Sequence, residues 1–129
     1  MFGWTTFNMA FTGITATEAE IDQKSGANVS TNFTDTMKTQ SLLQAESFLN
    51  TETTRNWSDD FSGLNTDVKF IVTSFTASWV ATDAINFDID AIGRGTATLM
   101  LNVLANIMSK AISTLKDKNT NQTFMTGVT

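Results

Sequence analysis

The chain of 129 residues is long enough for one domain and too short for two ordinary ones; 41% of it is hydrophobic and only 16% charged. That balance excludes a highly charged disordered chain, and the absence of Cys and His removes disulfides, thiol and imidazole chemistry and the usual ligands of zinc, copper and haem. A net charge of -5 argues against sequence-specific nucleic-acid binding, which needs clustered Lys and Arg to release counterions from phosphates.

Met1 to Ile14 alternates loosely between bulky apolar residues (Phe2, Trp4, Phe7, Met9, Phe11, Ile14) and small polar ones, the pattern of an extended arm that buries one face on its own core or on a neighbour. With no basic leading residues, and with Thr5, Thr6, Asn8 and Thr12 interrupting the apolar run, it does not read as a signal peptide. No run of roughly 18 uninterrupted apolar residues marks a membrane span elsewhere. The expectation is a protein with no membrane association, made in a cytoplasm-like compartment.

Thr17 and Glu20 stand at capping-box spacing and predict a short helix over Glu18 to Ser25, ended by Gly26. The Asn, Ser and Thr-rich stretch Ala27 to Asp35 predicts a loop. From Thr36 to about Arg55, capped by Thr34 or Asp35, a helix turns Leu42, Leu43, Ala45, Phe48 and Leu49 inward and Lys38, Gln40, Gln44 and Glu46 outward. Asn56 to Leu64 reads as a turn anchored by Trp57 and Phe61.

Val68, Ile71, Val72, Phe75 and Trp79 then fall on one helical stripe, with Asn65 or Thr66 as cap and Asp67 opposing the dipole. This helix is predicted to run to about Ile85, its other face rich in hydroxyls (Thr73, Ser74, Thr76, Ser78, Thr82) and almost uncharged. After a break at Asn86 to Gly95, a third long helix runs from about Thr96 to Leu115. Its stripe of Met100, Leu104, Ile107, Met108, Ala111 and Leu115 is widened by Leu99, Leu101, Val103 and Ile112, which predicts burial on both sides and, in so small a chain, a second subunit. Asp117 to Thr129 is polar apart from Phe124, Met125 and Val128, either a loose end or an arm ordered by a partner. The predicted fold is thus mainly α: a small bundle of three longer helices plus a short N-terminal one over residues 17–116, with extended arms at 1–16 and 117–129.

The candidate chemistry is thin. Asn86, Asp88 and Asp90 alternate like the first ligands of a calcium loop, but Ala91 and Ala97 stand where that loop needs Gly and Glu. Gly93-Arg94-Gly95 opens a helix without the Lys-Ser or Lys-Thr of a phosphate loop, and Asp59 with Asp60 reads as a turn or cap. Ser113 and Lys116 have Ser-x-x-Lys spacing without its companion motifs. Neither catalysis, a cofactor nor a metal is expected.

The sequence Leu42-Leu43-Gln44-Ala45-Glu46-Ser47-Phe48-Leu49-Asn50, the turn Thr54-Arg55-Asn56-Trp57, and Leu64-Asn65-Thr66-Asp67-Val68-Lys69 leading into the helix with Phe75 and Trp79 together resemble the small head-tail adaptor, or head-tail connector, proteins of tailed bacteriophages. The resemblance covers Thr36 to Lys116, and the aromatic N-terminal arm departs from the family pattern. It implies a homo-oligomer, commonly a dodecameric ring, between the portal protein and a stopper or tail protein in the virion neck, leaving a channel for DNA. Lateral contacts would then fall to Phe75, Trp79 and Met108, and arm contacts to Phe2, Trp4, Phe7, Phe124 and Met125. A capsid decoration or tail-tube subunit, with long strands, and a small helical binding module remain the alternatives.

Overall fold

Thr17 and Glu20 form the capping box that their spacing predicts. The Thr17 hydroxyl accepts from the Glu20 amide at 3.2 Å and the Glu20 carboxylate accepts from the Thr17 amide at 2.8 Å, opening α1 (Glu18–Ser25). Gly26 closes α1 at φ 83°, where a residue without Cβ is favoured. The computed structural model describes residues 10–26, 32–87, 89 and 93–118; 82% of these are helical and none is in a strand. The arm residues Phe2, Trp4, Phe7, Phe124 and Met125, and the candidate ligands Asp88 and Asp90, lie outside the described residues.

Thr34 starts α2 (Asp35–Thr53) by accepting from the Met37 amide at 3.2 Å. A single turn, α3 (Trp57–Asp60), continues into a 3-10 turn over Phe61–Gly63. Asn65 then accepts from the Asp67 amide at 2.9 Å at the head of α4 (Thr66–Phe87). The last element, α5 (Arg94–Lys118), follows Gly93 at φ 98°.

The centre of the bundle is α4, which packs against α1, α2 and α5 and contributes to every apolar cluster. Val68, Val72 and Phe75 meet Leu49, Trp57, Leu64, Ala111 and Leu115 at one end. Ala77, Val80 and Ala84 meet Ala16, Ile21, Phe33 and Leu42 on a second side, while Ala81 and Ile85 meet Ala97 and Leu104 on a third. These pairings make both α2 and α5 antiparallel to α4. The hydroxyl-rich face is partly inside: Thr76 and Ser78 are fully buried, while Thr73, Ser74 and Thr82 are half-buried. A helical hydroxyl can satisfy itself on the preceding turn; Thr76 does this on the Val72 carbonyl at 3.2 Å, whereas Ser78 Oγ is buried without a hydrogen-bond partner.

Residues 10–16, expected in the arm, run as an irregular strap over α2 and α4. Thr15 is its anchor. Its amide and hydroxyl both donate to the Glu46 carboxylate, at 3.2 and 2.7 Å, and its carbonyl accepts from the Thr73 hydroxyl at 2.6 Å. Glu46, expected on the outside, is therefore buried at 5% exposure, its charge met by donors in place of water. Gly13 lets the strap close down: a Cβ there would fall 2.4 Å from Leu42 Cδ2 and 2.7 Å from the Ala16 carbonyl. Phe33, in the predicted loop, is also buried in the core.

The Thr54–Trp57 turn has a local structural account. Thr54 takes a left-handed conformation (φ 57°) that ends α2, and Asn56 caps α3 by accepting from the Asp59 amide at 3.2 Å. Trp57 is fully buried, its indole N–H donating to Thr53 Oγ1 at 2.6 Å. The Arg55 guanidinium lies 4.9 Å over the Trp57 ring while its Nε donates to Asp60 at 3.1 Å. Asp59 and Asp60 thus belong to the turn.

The expectation of an α5 enclosed on both sides is not met within the chain. Leu99 and Val103 are 69% and 57% exposed, and Met100, Leu101, Ile107, Met108 and Ile112 are only half-buried. The reason is simple geometry: among the described elements α5 packs chiefly on α4 and far less on α2, so one stripe of it is covered and its flanks are not. On length and composition alone α5 is apolar enough to cross a membrane, but its outermost arc of Thr98, Asn102, Asn106, Ser109 and Ser113 is polar and exposed. Lipid would meet that arc.

Candidate functional site

An open apolar groove of about 350 Å³ lies where α2, α4 and α5 converge. Helical spacing builds each wall: Phe48 and Glu52 are one turn apart on α2, Phe75 and Trp79 on α4, and Met108 and Ile112 on α5, with Ser109 at the edge. Among the residues expected at lateral contacts, Phe75, Trp79 and Met108 are brought together here. They play different parts. Phe75 is 2% exposed and belongs to the core, whereas Trp79 and Met108 are half-buried.

Three rings form a continuous surface. Phe48 stacks on Phe75 with centroids 6.3 Å apart and planes 7° apart, and Trp79 lies 5.3 Å from Phe48 and 6.0 Å from Phe75. These separations lie within the favourable range for aromatic pairs, each contributing about 0.5–1.5 kcal/mol beyond burial. Sequence reading placed Phe48 in the core; it is 45% exposed because α5 reaches α2 only near its end and leaves this ring uncovered. The ion pair of Lys116 with Glu52, at 3.1 Å, stands at the rim, both partners about half exposed.

Two smaller hollows flank the bundle. One of about 250 Å³ is lined by Lys24 of α1 and Leu99, Met100, Val103 and Leu104 of α5. Val103 and Ile112 are nine residues apart, about two and a half turns, so the two apolar flanks of α5 point to opposite sides of the helix. The other, about 280 Å³, lies between the strap and α4, with Ile14 and Phe70 exposed at 57% and 63% and the Lys69 ammonium 5.7 Å from the centre of the Phe61 ring.

Among the described residues no group of three or more Asp and Glu side chains is placed to hold a metal ion. Glu46 is buried, and the Thr15 amide and hydroxyl that it accepts from are the partners of a structural latch. What this surface offers chemically is apolar contact with a polar, ion-paired rim, the composition of a binding patch. No family model, curated protein or solved structure matches the chain.

Proposed function

We propose that the chain is a structural assembly subunit: a head-tail adaptor of a tailed bacteriophage, forming a homo-oligomeric, dodecameric ring in the virion neck between the portal protein and a stopper or tail protein. The observation that supports this most is the pair of apolar flanks on opposite sides of α5, Leu99 with Val103 and Met108 with Ile112, the second continued by Trp79 of α4. Two different surfaces, facing apart, suit the head-to-tail contact from which rings close. The likeness of Leu42–Asn50, Thr54–Trp57 and Leu64–Lys69 to that family supplies the rest of the reading. A weakly charged surface with acidic balance suits a channel through which DNA passes without sticking.

The tail-tube and decoration alternative called for long strands, and the described residues hold none, which weighs against it. A small helical binding module is favoured by one observation: α4 is enclosed by elements of its own chain, so folding does not call for a second copy. Light scattering separates the two. A ring mass for the purified protein, alone or after mixing with a tailed-phage portal protein, supports the adaptor; a monomer that ignores the portal overturns it in favour of the binding module.

A further inference from the structure

We propose that a second copy of this chain occupies the aromatic groove, seated head to tail. Leu99 and Val103 of one copy enter the groove of Phe48, Trp79, Met108 and Ile112 on the next, and Lys24 of the first meets Glu52 of the second. This deepens the reading of the chain as an assembly subunit and rests on it. Spacing matches on the two sides. Leu99 and Val103 are one helical turn apart and protrude at 69% and 57% exposure, while Met108 and Ile112, also one turn apart, line the receiving wall. A closed apolar cavity of about 150 Å³ holds a benzene ring, so a groove of about 350 Å³ takes two aliphatic side chains.

Charge selects this pairing over a contact of either flank with itself. Lys24 borders Leu99 and Val103, is half-buried, and makes no ion pair among the described residues. Glu52 stands at the edge of the groove, 45% exposed on its side chain, where its Oε1 accepts from Lys116 at 3.1 Å. A carboxylate accepts from several donors, which leaves Oε2 to a second ammonium. Two protruding flanks face to face would set Lys24 beside Lys24, and two grooves face to face would leave both unfilled. The flanks also stand nine residues apart on α5, a rise of about 14 Å. Copies joined through them therefore step along the helix, and a ring closes only with α5 inclined to the ring axis.

The test blocks one flank at a time in the full chain. Val103→Asp places a charge on the protruding flank and Ser109→Asp places one at the groove edge. Both positions are exposed in the single chain, so both variants are expected to keep the fold, which circular dichroism checks. By light scattering the parent is expected to associate as concentration rises and each variant to stay monomeric. Mixed, the two variants are expected to form a one-to-one dimer and nothing larger, since each keeps the surface that the other lacks. Lys24→Met is expected to weaken association of the parent a few-fold, and to have no effect where Glu52 is already Gln. A parent that stays monomeric, a folded variant that still associates alone, or two variants that do not pair would each overturn the proposal. An equal loss from Lys24→Met in both backgrounds overturns it too, by removing the contact that sets the register. A ring on a tailed-phage portal protein that both variants still join leaves the adaptor reading standing and overturns the flank pairing. Association through the flanks by a chain that ignores the portal does the reverse.

Discussion

The two longest helices, α4 and α5, are both apolar and lie antiparallel, yet one is enclosed and the other half open. Val68, Val72, Phe75, Thr76, Ala77, Ser78, Val80, Ala81, Ala84 and Ile85 are buried on α4. On α5 the buried positions are Ala97, Leu104, Ala111 and Leu115, one narrow stripe. Apolar content alone therefore does not locate the centre of a small bundle. Position in the packing order does: α4 is reached from three sides by α1, α2 and α5, while α5 has α4 on one side and little else. The small residues Ala77, Ala81 and Ala84 mark the helix that others approach closely, and the bulky Leu99, Val103 and Met108 mark one whose outer surface is left over.

The contrast is broken most severely by placing a charge on each helix in turn. Val72→Asp is expected to unfold the chain, an effect above about 4 kcal/mol because an unpaired carboxylate is forced into the core. Val103→Asp should leave the melting curve within about 0.5 kcal/mol of the parent, and far-ultraviolet circular dichroism melts of the pair check both. If Val103→Asp unfolds the chain equally, α5 is enclosed by something the isolated fold lacks.

A smaller effect tests the strap that closes the α2 side of α4. Glu46→Ala removes the acceptor from the buried Thr15 amide and hydroxyl and is expected to cost about 1–3 kcal/mol in urea unfolding. Glu46→Gln, which keeps a carbonyl oxygen, is expected to recover part of that loss.

The smallest belongs to the rim, where α1 meets α2. Lys38 lies 3.0 Å from Glu18 and 3.4 Å from Asp22. Burial works to lower its pKa, but the hydrogen bond with Glu18 and the charges of Asp22 and Glu18 outweigh it and raise the ammonium above its ordinary 10.5. A raised lysine stabilises the fold fully below 10.5 and loses that contribution as pH climbs through the higher folded-state value. The difference in stability between the parent and Lys38→Met should be constant around neutrality and shrink above pH 10.5, from a starting value of about 1 kcal/mol or less.

Helix boundaries were legible because short-range chemistry sets them. The Thr17–Glu20 box, Gly26, the Thr34 cap and Asn65 all act within a few residues of where they stand. What escaped the sequence depends on partners far along the chain. Glu46 reads as a surface residue until Thr15 arrives from 31 positions away, and Phe33 is hidden by its polar neighbours until it meets Ala84 and Val80. The groove was half legible. Phe75, Trp79 and Met108 were singled out as contact residues and do converge, but periodicity ranks Phe48 with Leu42 and Leu49, and only the tertiary arrangement leaves its ring open.

The two described tryptophans give the protein a built-in optical readout of two separate events. Trp57 is sealed in the core with its N–H on Thr53 and a guanidinium over its face, so its emission changes only when the bundle opens. Trp79 sits in the wall of the groove, half in contact with solvent, so its emission responds to whatever covers that wall. A chain carrying Trp57 alone would follow folding, and one carrying Trp79 alone would follow occupancy.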